Sequence, residues 1–135
     1  MRRSLHAVTL LVPSYDEGIA FFTQVLRWQL LEDTLLAPGK RWVRVAAEEG
    51  SALLLAVPGN AEQTAQMGRH AGGRVGLFLH TDDFDGELAH LRGHGVHFTE
   101  TPRDEVYGRV VVFTDPWGNR WDLIEPRTAT AEGTR

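Results

Sequence analysis

With 135 residues, 42% of them hydrophobic, the chain suffices for one domain or two very small modules sharing a core, and is too apolar for a disordered chain. A net charge of −4 lacks the basic excess of a nucleic-acid binder, and the absence of cysteine excludes disulfides, thiolate metal sites and a thiol nucleophile. No apolar run approaches the roughly 20 residues of a membrane span, and no apolar signal core follows Met1-Arg2-Arg3, so the expectation is a soluble, cytoplasmic chain without nucleic-acid or membrane partners.

Leu5 to Val12 is a β-rich run bounded by Pro13. From Asp16 to Leu26 the apolar residues Ile19, Ala20, Phe21, Phe22, Val25 and Leu26 recur at helical spacing, with Ser14 or Asp16 as N-cap. Leu30 to Leu36 reads as a short strand, and Trp42 to Ala47 with Ala52 to Val57 as a hairpin across Glu48-Glu49-Gly50-Ser51. Residues 58–73, polar and rich in glycine, read as a linker. The order then restarts. Arg74 to Thr81 is a strand, and Asp82-Asp83 caps a helix that runs to about Arg92 and ends at Gly93 and Gly95. Val96 to Thr99 is a strand, Thr101 to Gly108 a loop, and Val110 to Thr114 with Arg120 to Ile124 a second hairpin. Residues 127–135 read as a flexible tail.

The chain therefore reads βαβββ twice: module 1 over 1–57, the linker 58–73, and module 2 over 74–126. An offset of 69 lays Val8 on Leu77, Leu10 on Leu79, Ile19 on Leu88 and Phe22 on Leu91, and lays Leu53 and Leu55 on Asp122 and Ile124.

Three stretches carry a resemblance to a known family: "LHAVTLLVPSYDEGIAFFTQVL" (5–26), "VGLFLHTDDFDGELAHLRGHGV" (75–96) and "FTDPWGNRWDLIEP" (113–126). The last, a D-P-x-G-N turn running into an acidic strand, is the most specific. The chain resembles the vicinal-oxygen-chelate superfamily, which includes glyoxalase I, extradiol dioxygenases, fosfomycin-resistance transferases, methylmalonyl-CoA epimerase and bleomycin-resistance proteins. The resemblance implies an α+β fold, two βαβββ modules forming a curled mixed sheet with a concave cup, in a homodimer. In metal-using members four ligand positions sit on the first and last strands of each module. Here those positions fall on Ala7, Leu53, Gly76 and Asp122, with His6 one residue off and so on the opposite strand face. One carboxylate does not hold a divalent metal, and no cofactor is expected.

Strand parity then assigns the lining. Val8, Leu10 and Val12 pack inward, as do Val75, Leu77, Leu79, Trp121 and Leu123. The cup receives Thr9, Leu11, Leu53, Leu55, Gly76, Phe78, His80, Arg120, Asp122 and Ile124, a mostly apolar small-molecule surface. Either Trp42 and Arg44 or Val43 and Val45 join them. Tyr107 is a candidate pocket wall on the loop before the last hairpin. His80 is either a strand-end histidine beside Asp82-Asp83 or a general base; Asp122 is either paired with an arginine such as Arg44 or Arg120, or anchors substrate or moves its proton. His90, His94 and His97 have the spacing of a helix-face cluster, but Gly93 and Gly95 interrupt that helix.

The resemblance leaves three functions open. One is a sequestering protein that binds a small organic molecule without the usual metal. Another is an enzyme: a metal-independent lyase or isomerase using His80 or Asp122, or, if the register slips, a metal-dependent lyase, isomerase or dioxygenase. The third is a metabolite sensor.

Overall fold

The computed structural model of the chain describes residues 1–127, so the tail expected over 127–135 lies outside the described residues from position 128 on. Two compact units divide the chain, Met1–Met67 and Gly68–Arg135.

The first unit holds β1 (Ala7–Leu11), α1 (Tyr15–Ala20) with a π-helical turn (Phe21–Val25), β2 (Gln29–Ala37), β3 (Lys40–Ala46), β4 (Ala52–Ala56) and α2 (Ala61–Gln66). Its sheet runs β1-β4-β3-β2, with β1 parallel to β4 and the other pairs antiparallel. Ser14 starts α1: its hydroxyl accepts the Glu17 amide at 3.1 Å, and Asp16 and Glu17 suit the positive end of the helix. Gly18 lets α1 lie against the sheet, since a Cβ there would stand 2.8 Å from Leu55 Cδ1 and 3.2 Å from Val12. The predicted single helix changes pitch at Phe21, where the Leu26 amide reaches the Phe21 carbonyl at 3.1 Å. That wider turn buries both Phe21 and Phe22. Within the segment expected as a linker, α2 is capped by Asn60, whose side chain accepts the Gln63 amide at 2.8 Å.

The second unit holds β5 (Val75–His80), α3 (Phe84–Gly93), β6 (His97–Phe98), β7 (Arg103–Glu105), β8 (Gly108–Thr114) and β9 (Arg120–Pro126). Its sheet runs β5-β9-β8-β6, again with first and last strands parallel, and β7 pairs with β8 from within the segment expected as a loop. Asp83 caps α3 by accepting the Gly86 amide at 3.1 Å, and Glu125 of β9 accepts the Phe84 amide at 2.8 Å. Phe84, Leu88 and Leu91 are the buried side of α3.

The two sheets repeat one topology and the fold is α+β, as expected. The offset of 69 survives through the helices, where Phe22 and Leu91 are both fully buried. It drops to 68 afterwards: Val43 pairs with Leu55 as Val111 pairs with Leu123. Between the helix and the third strand the first unit is thus one residue longer than the second.

Candidate functional site

That one-residue difference corrects the predicted site. Thr9 of β1 stands opposite Leu54 of β4, and Phe78 of β5 stands opposite Asp122 of β9. The counterpart of Asp122 is therefore Leu54, not Leu53. Leu53 and Leu55 pair with Val45 and Val43, both fully buried, and Leu55 touches Gly18 of α1. They belong to the helix-side core and line no ligand face, because a one-residue shift turns every side chain of a strand over. Val8 is also corrected: it was expected to pack, but is 48% exposed at the start of β1, whereas Leu10 and Val12 are buried, Val12 beside Gly18.

On the first unit's helix-free face one row runs Thr9, Leu54, Arg44, Glu32 across four strands. Trp42 and Arg44 share this face, since Val43 and Val45 are buried on the other. Leu11 and Ala7 alternate with Leu10 and so belong to it as well. The Glu32 carboxylate gathers both polar groups: it accepts the Trp42 indole N–H at 3.2 Å and pairs with the Arg44 guanidinium. Arg44 holds the Glu32 carboxyl below the usual carboxylate range, with partial opposition from desolvation. Arg44 is thus paired with Glu32 within its own unit.

On the second unit's sheet one row runs Phe78, Asp122, Val112, and the next runs His80, Ile124, Val110, Arg103. Asp122 is 7% exposed, and its Oδ1 is buried without a hydrogen-bond partner among the described residues. Burial raises its carboxyl; Arg103 pulls it back, Glu100 pushes it further up, and Arg120 pulls it down. Among the described residues Arg120, one of the two arginines expected to pair with Asp122, makes its hydrogen bond elsewhere. Arg120 donates to the Gly73 carbonyl at 3.3 Å, while Arg103 pairs with Glu100 at 3.0 Å and with Glu105. The Tyr107 side chain first, then Glu100 and Glu105, raise the Arg103 guanidinium further above its already high value. Phe78, 62% exposed, presents an aromatic surface beside Asp122. His80 is exposed at the strand end, and Ile124 is buried next to it. Tyr107 is exposed on the turn between β7 and β8, which Arg127 secures by donating to the Val106 carbonyl at 3.1 Å and the Glu105 carbonyl at 2.9 Å.

Parity reasoning missed Glu32, Glu100 and Arg103. The signal for the last two was the i, i+3 spacing of acid and base inside a segment taken as coil. The D-P-x-G-N turn also has its own carboxylate, which is structural. Asp115 is 3% exposed, and its two oxygens accept four N–H groups, from the Trp117 and Asn119 amides, the Asn119 side chain and the Trp121 indole, at 2.9–3.1 Å.

The model of the glyoxalase/bleomycin resistance protein/dioxygenase superfamily matches residues 4–123. The chain belongs to this superfamily. An uncharacterized protein of Shewanella frigidimarina (strain NCIMB 400) is 42% identical over 128 residues, covering 93% of this chain and 95% of that protein. A crystal structure of a superfamily member from Sphaerobacter thermophilus DSM 20745 superposes with a TM-score of 0.76 at 28% identity, covering 92% of this chain and 98% of that one. TnmS3, described as an antibiotic binding protein from Streptomyces sp. CB03234, superposes with a TM-score of 0.68 at 28% identity, covering 94% and 100%.

Superfamily membership makes the donor set decisive. The first unit offers Ala7 and Leu54, the second Gly76 and Asp122, so three of the four positions have no oxygen or nitrogen side chain. Gly76 sits at a bulge in β5, where a Cβ would stand 2.8 Å from Ala71 Cβ, so a longer side chain there requires the backbone to move. His6 is exposed and precedes β1. Among the described residues no three His, Asp or Glu side chains group as metal donors. These residues do not fit the metal of the chelating members. Among the described residues, no helix is long and apolar enough to cross a membrane.

Proposed function

We propose that this chain is a sequestering protein: it binds a small organic molecule, holds it without transforming it, and uses no metal at the chelating positions. Asp122 carries the reading. A buried carboxylate oxygen with no hydrogen-bond partner costs about 1–3 kcal/mol or more, and it lies in register with an aromatic ring that is 62% exposed. An N–H or ammonium group of a ligand would satisfy Oδ1 while an apolar or planar part covers Phe78. Tyr107 and Ile124 are the further lining residues of the proposal on the second unit; the first unit's own helix-free face presents Thr9, Leu11, Trp42, Arg44 and Leu54, the last in place of Leu53 and Leu55. The antibiotic binding of TnmS3, at 28% identity, supports the class of function.

A second reading, a metal-independent lyase or isomerase, is favoured by one observation. Asp122 has a raised carboxyl in apolar surroundings, and His80 lies one row away in the same register, so both suit proton transfer. The proposal also includes a homodimer in the cytoplasm. The edge strand β2 supports the dimer with four exposed leucines, Leu30, Leu31, Leu35 and Leu36; sedimentation velocity tests it.

The deciding experiment is a thermal-shift screen of metabolites and antibiotics, with and without EDTA, followed by mass spectrometry of each hit after long incubation. A stabilising ligand recovered unchanged, insensitive to EDTA and lost in Asp122→Asn, is the expected result. A hit converted to product establishes the enzyme reading instead.

A further inference from the structure

The C-terminal end of α3 carries a pair of histidines that the proposed function leaves unused. His90 lies in the last turn and His94 is the capping residue. Positions four apart share a helix face. The His94 amide still bonds the His90 carbonyl at 3.2 Å, so the glycines on either side of His94 do not break the register between the two. Their ring centroids are 4.5 Å apart with the planes inclined at 49°. His90 is half-buried and His94 exposed, which leaves the pair open to solvent from one side. Arg92, the cation of this turn, lies over the Phe98 ring with its guanidinium carbon 5.7 Å from the centroid.

The separation can be compared with coordination geometry. A metal–nitrogen bond of about 2.0–2.1 Å and a ring radius of about 1.1 Å put a bound ion roughly 3.2 Å from each ring centre. Two rings at right angles about the ion then stand about 4.5 Å apart, and two at the tetrahedral angle about 5.2 Å. The observed separation, also that of an ordinary ring contact, brings both imidazoles within reach of neighbouring corners of one tetragonal site, the geometry of copper(II) and nickel(II) bound through nitrogen.

We propose that His90 and His94 form a surface site for a divalent late transition ion, copper(II) before nickel(II), with water completing the coordination. His97 does not join: Gly95, at φ +72°, turns the chain, and His97 begins β6. A transition metal carried by this protein sits at the end of α3, away from Asp122 in the sequence and on a different element.

The test is titration of the full, untagged chain with copper(II) chloride in a non-coordinating buffer, followed by calorimetry and electron paramagnetic resonance. One saturable equivalent with nitrogen coupling is expected. His94→Gln, on an exposed residue, weakens binding by at least the tenfold or so that even a supporting residue costs, and His90→Gln does the same. His97→Gln and Asp122→Asn bind as the parent does. The proposal is overturned by no saturable binding, by affinity retained in His94→Gln or in a folded His90→Gln, or by loss in His97→Gln or Asp122→Asn.

Discussion

Leu54 occupies on β4 the place that Asp122 occupies on β9: each pairs with the middle of its unit's first strand, Thr9 in one case and Phe78 in the other. The two halves of one duplicated topology thus present hydrocarbon and carboxylate at equivalent points, and the strand face of every neighbour follows from that equivalence.

The register is open to a direct check. Leu53 is 7% exposed on the helix side of β4, so Leu53→Asp buries an unpaired charge and destabilises by more than about 3 kcal/mol. Leu54 is half-buried with Arg44 opposite, so Leu54→Asp costs no more than about 1–2 kcal/mol. Urea unfolding of the two variants gives the order; the reverse order restores the uncorrected register.

Asp122 sets a pH signature. Burial raises its folded-state carboxyl above the unfolded value, so folding gives no penalty while both states are protonated. Stability is then lost as pH rises from the unfolded value near 3.8 through the raised folded value. Asp122→Leu, which installs the residue of the equivalent position, removes that loss. It is expected to stabilise by about 1–3 kcal/mol at pH 7, with the gain shrinking below pH 4, and to abolish ligand binding. Melting curves over pH 3–8 measure this; an equal gain at all pH values contradicts it.

Asp115 is the structural carboxylate of the same hairpin. Three of its four partners, the Trp117 and Asn119 amides on Oδ1 and the Trp121 indole on Oδ2, can only donate, so Asp115→Asn turns an amide NH2 toward a donor in either orientation. Both Asp115→Asn and Asp115→Ala are expected to destabilise by about 2–4 kcal/mol, read as a drop in the urea midpoint.

Much of the fold was legible because local chemistry and tertiary packing agreed. The Asp83 cap, the end of α3 at Gly93 and the D-P-x-G-N hairpin all lie where periodicity and turn residues put them. The errors share one cause. An extra residue between helix and third strand leaves no mark in a pattern as uniformly apolar as "ALLLAV", where Leu53, Leu54 and Leu55 are chemically alike and only pairing distinguishes their faces. β7 was missed for another reason: Arg103, Asp104 and Glu105 carry no apolar alternation, and only pairing with β8 makes them a strand. Of the candidate site, Asp122 and Phe78 could be found by parity, while the pairing of Arg44 with Glu32 depends on β2 lying beside β3.

Gly18 tests the packing that fixes these faces. Its added methyl would stand 2.8 Å from Leu55 Cδ1, so Gly18→Ala is expected to cost about 1–3 kcal/mol by overpacking, despite alanine's better helix propensity. A stabilised variant would show that α1 does not seat on β4 in this way.

The measurement that bears most directly on the central claim is elemental analysis of the His94→Gln protein, purified from metal-replete cells without chelators. With the surface histidine pair removed, the account predicts manganese, iron, nickel and zinc far below one ion per chain. A full equivalent of any of them, retained in His94→Gln and lost when Asp122→Asn is added, would contradict it.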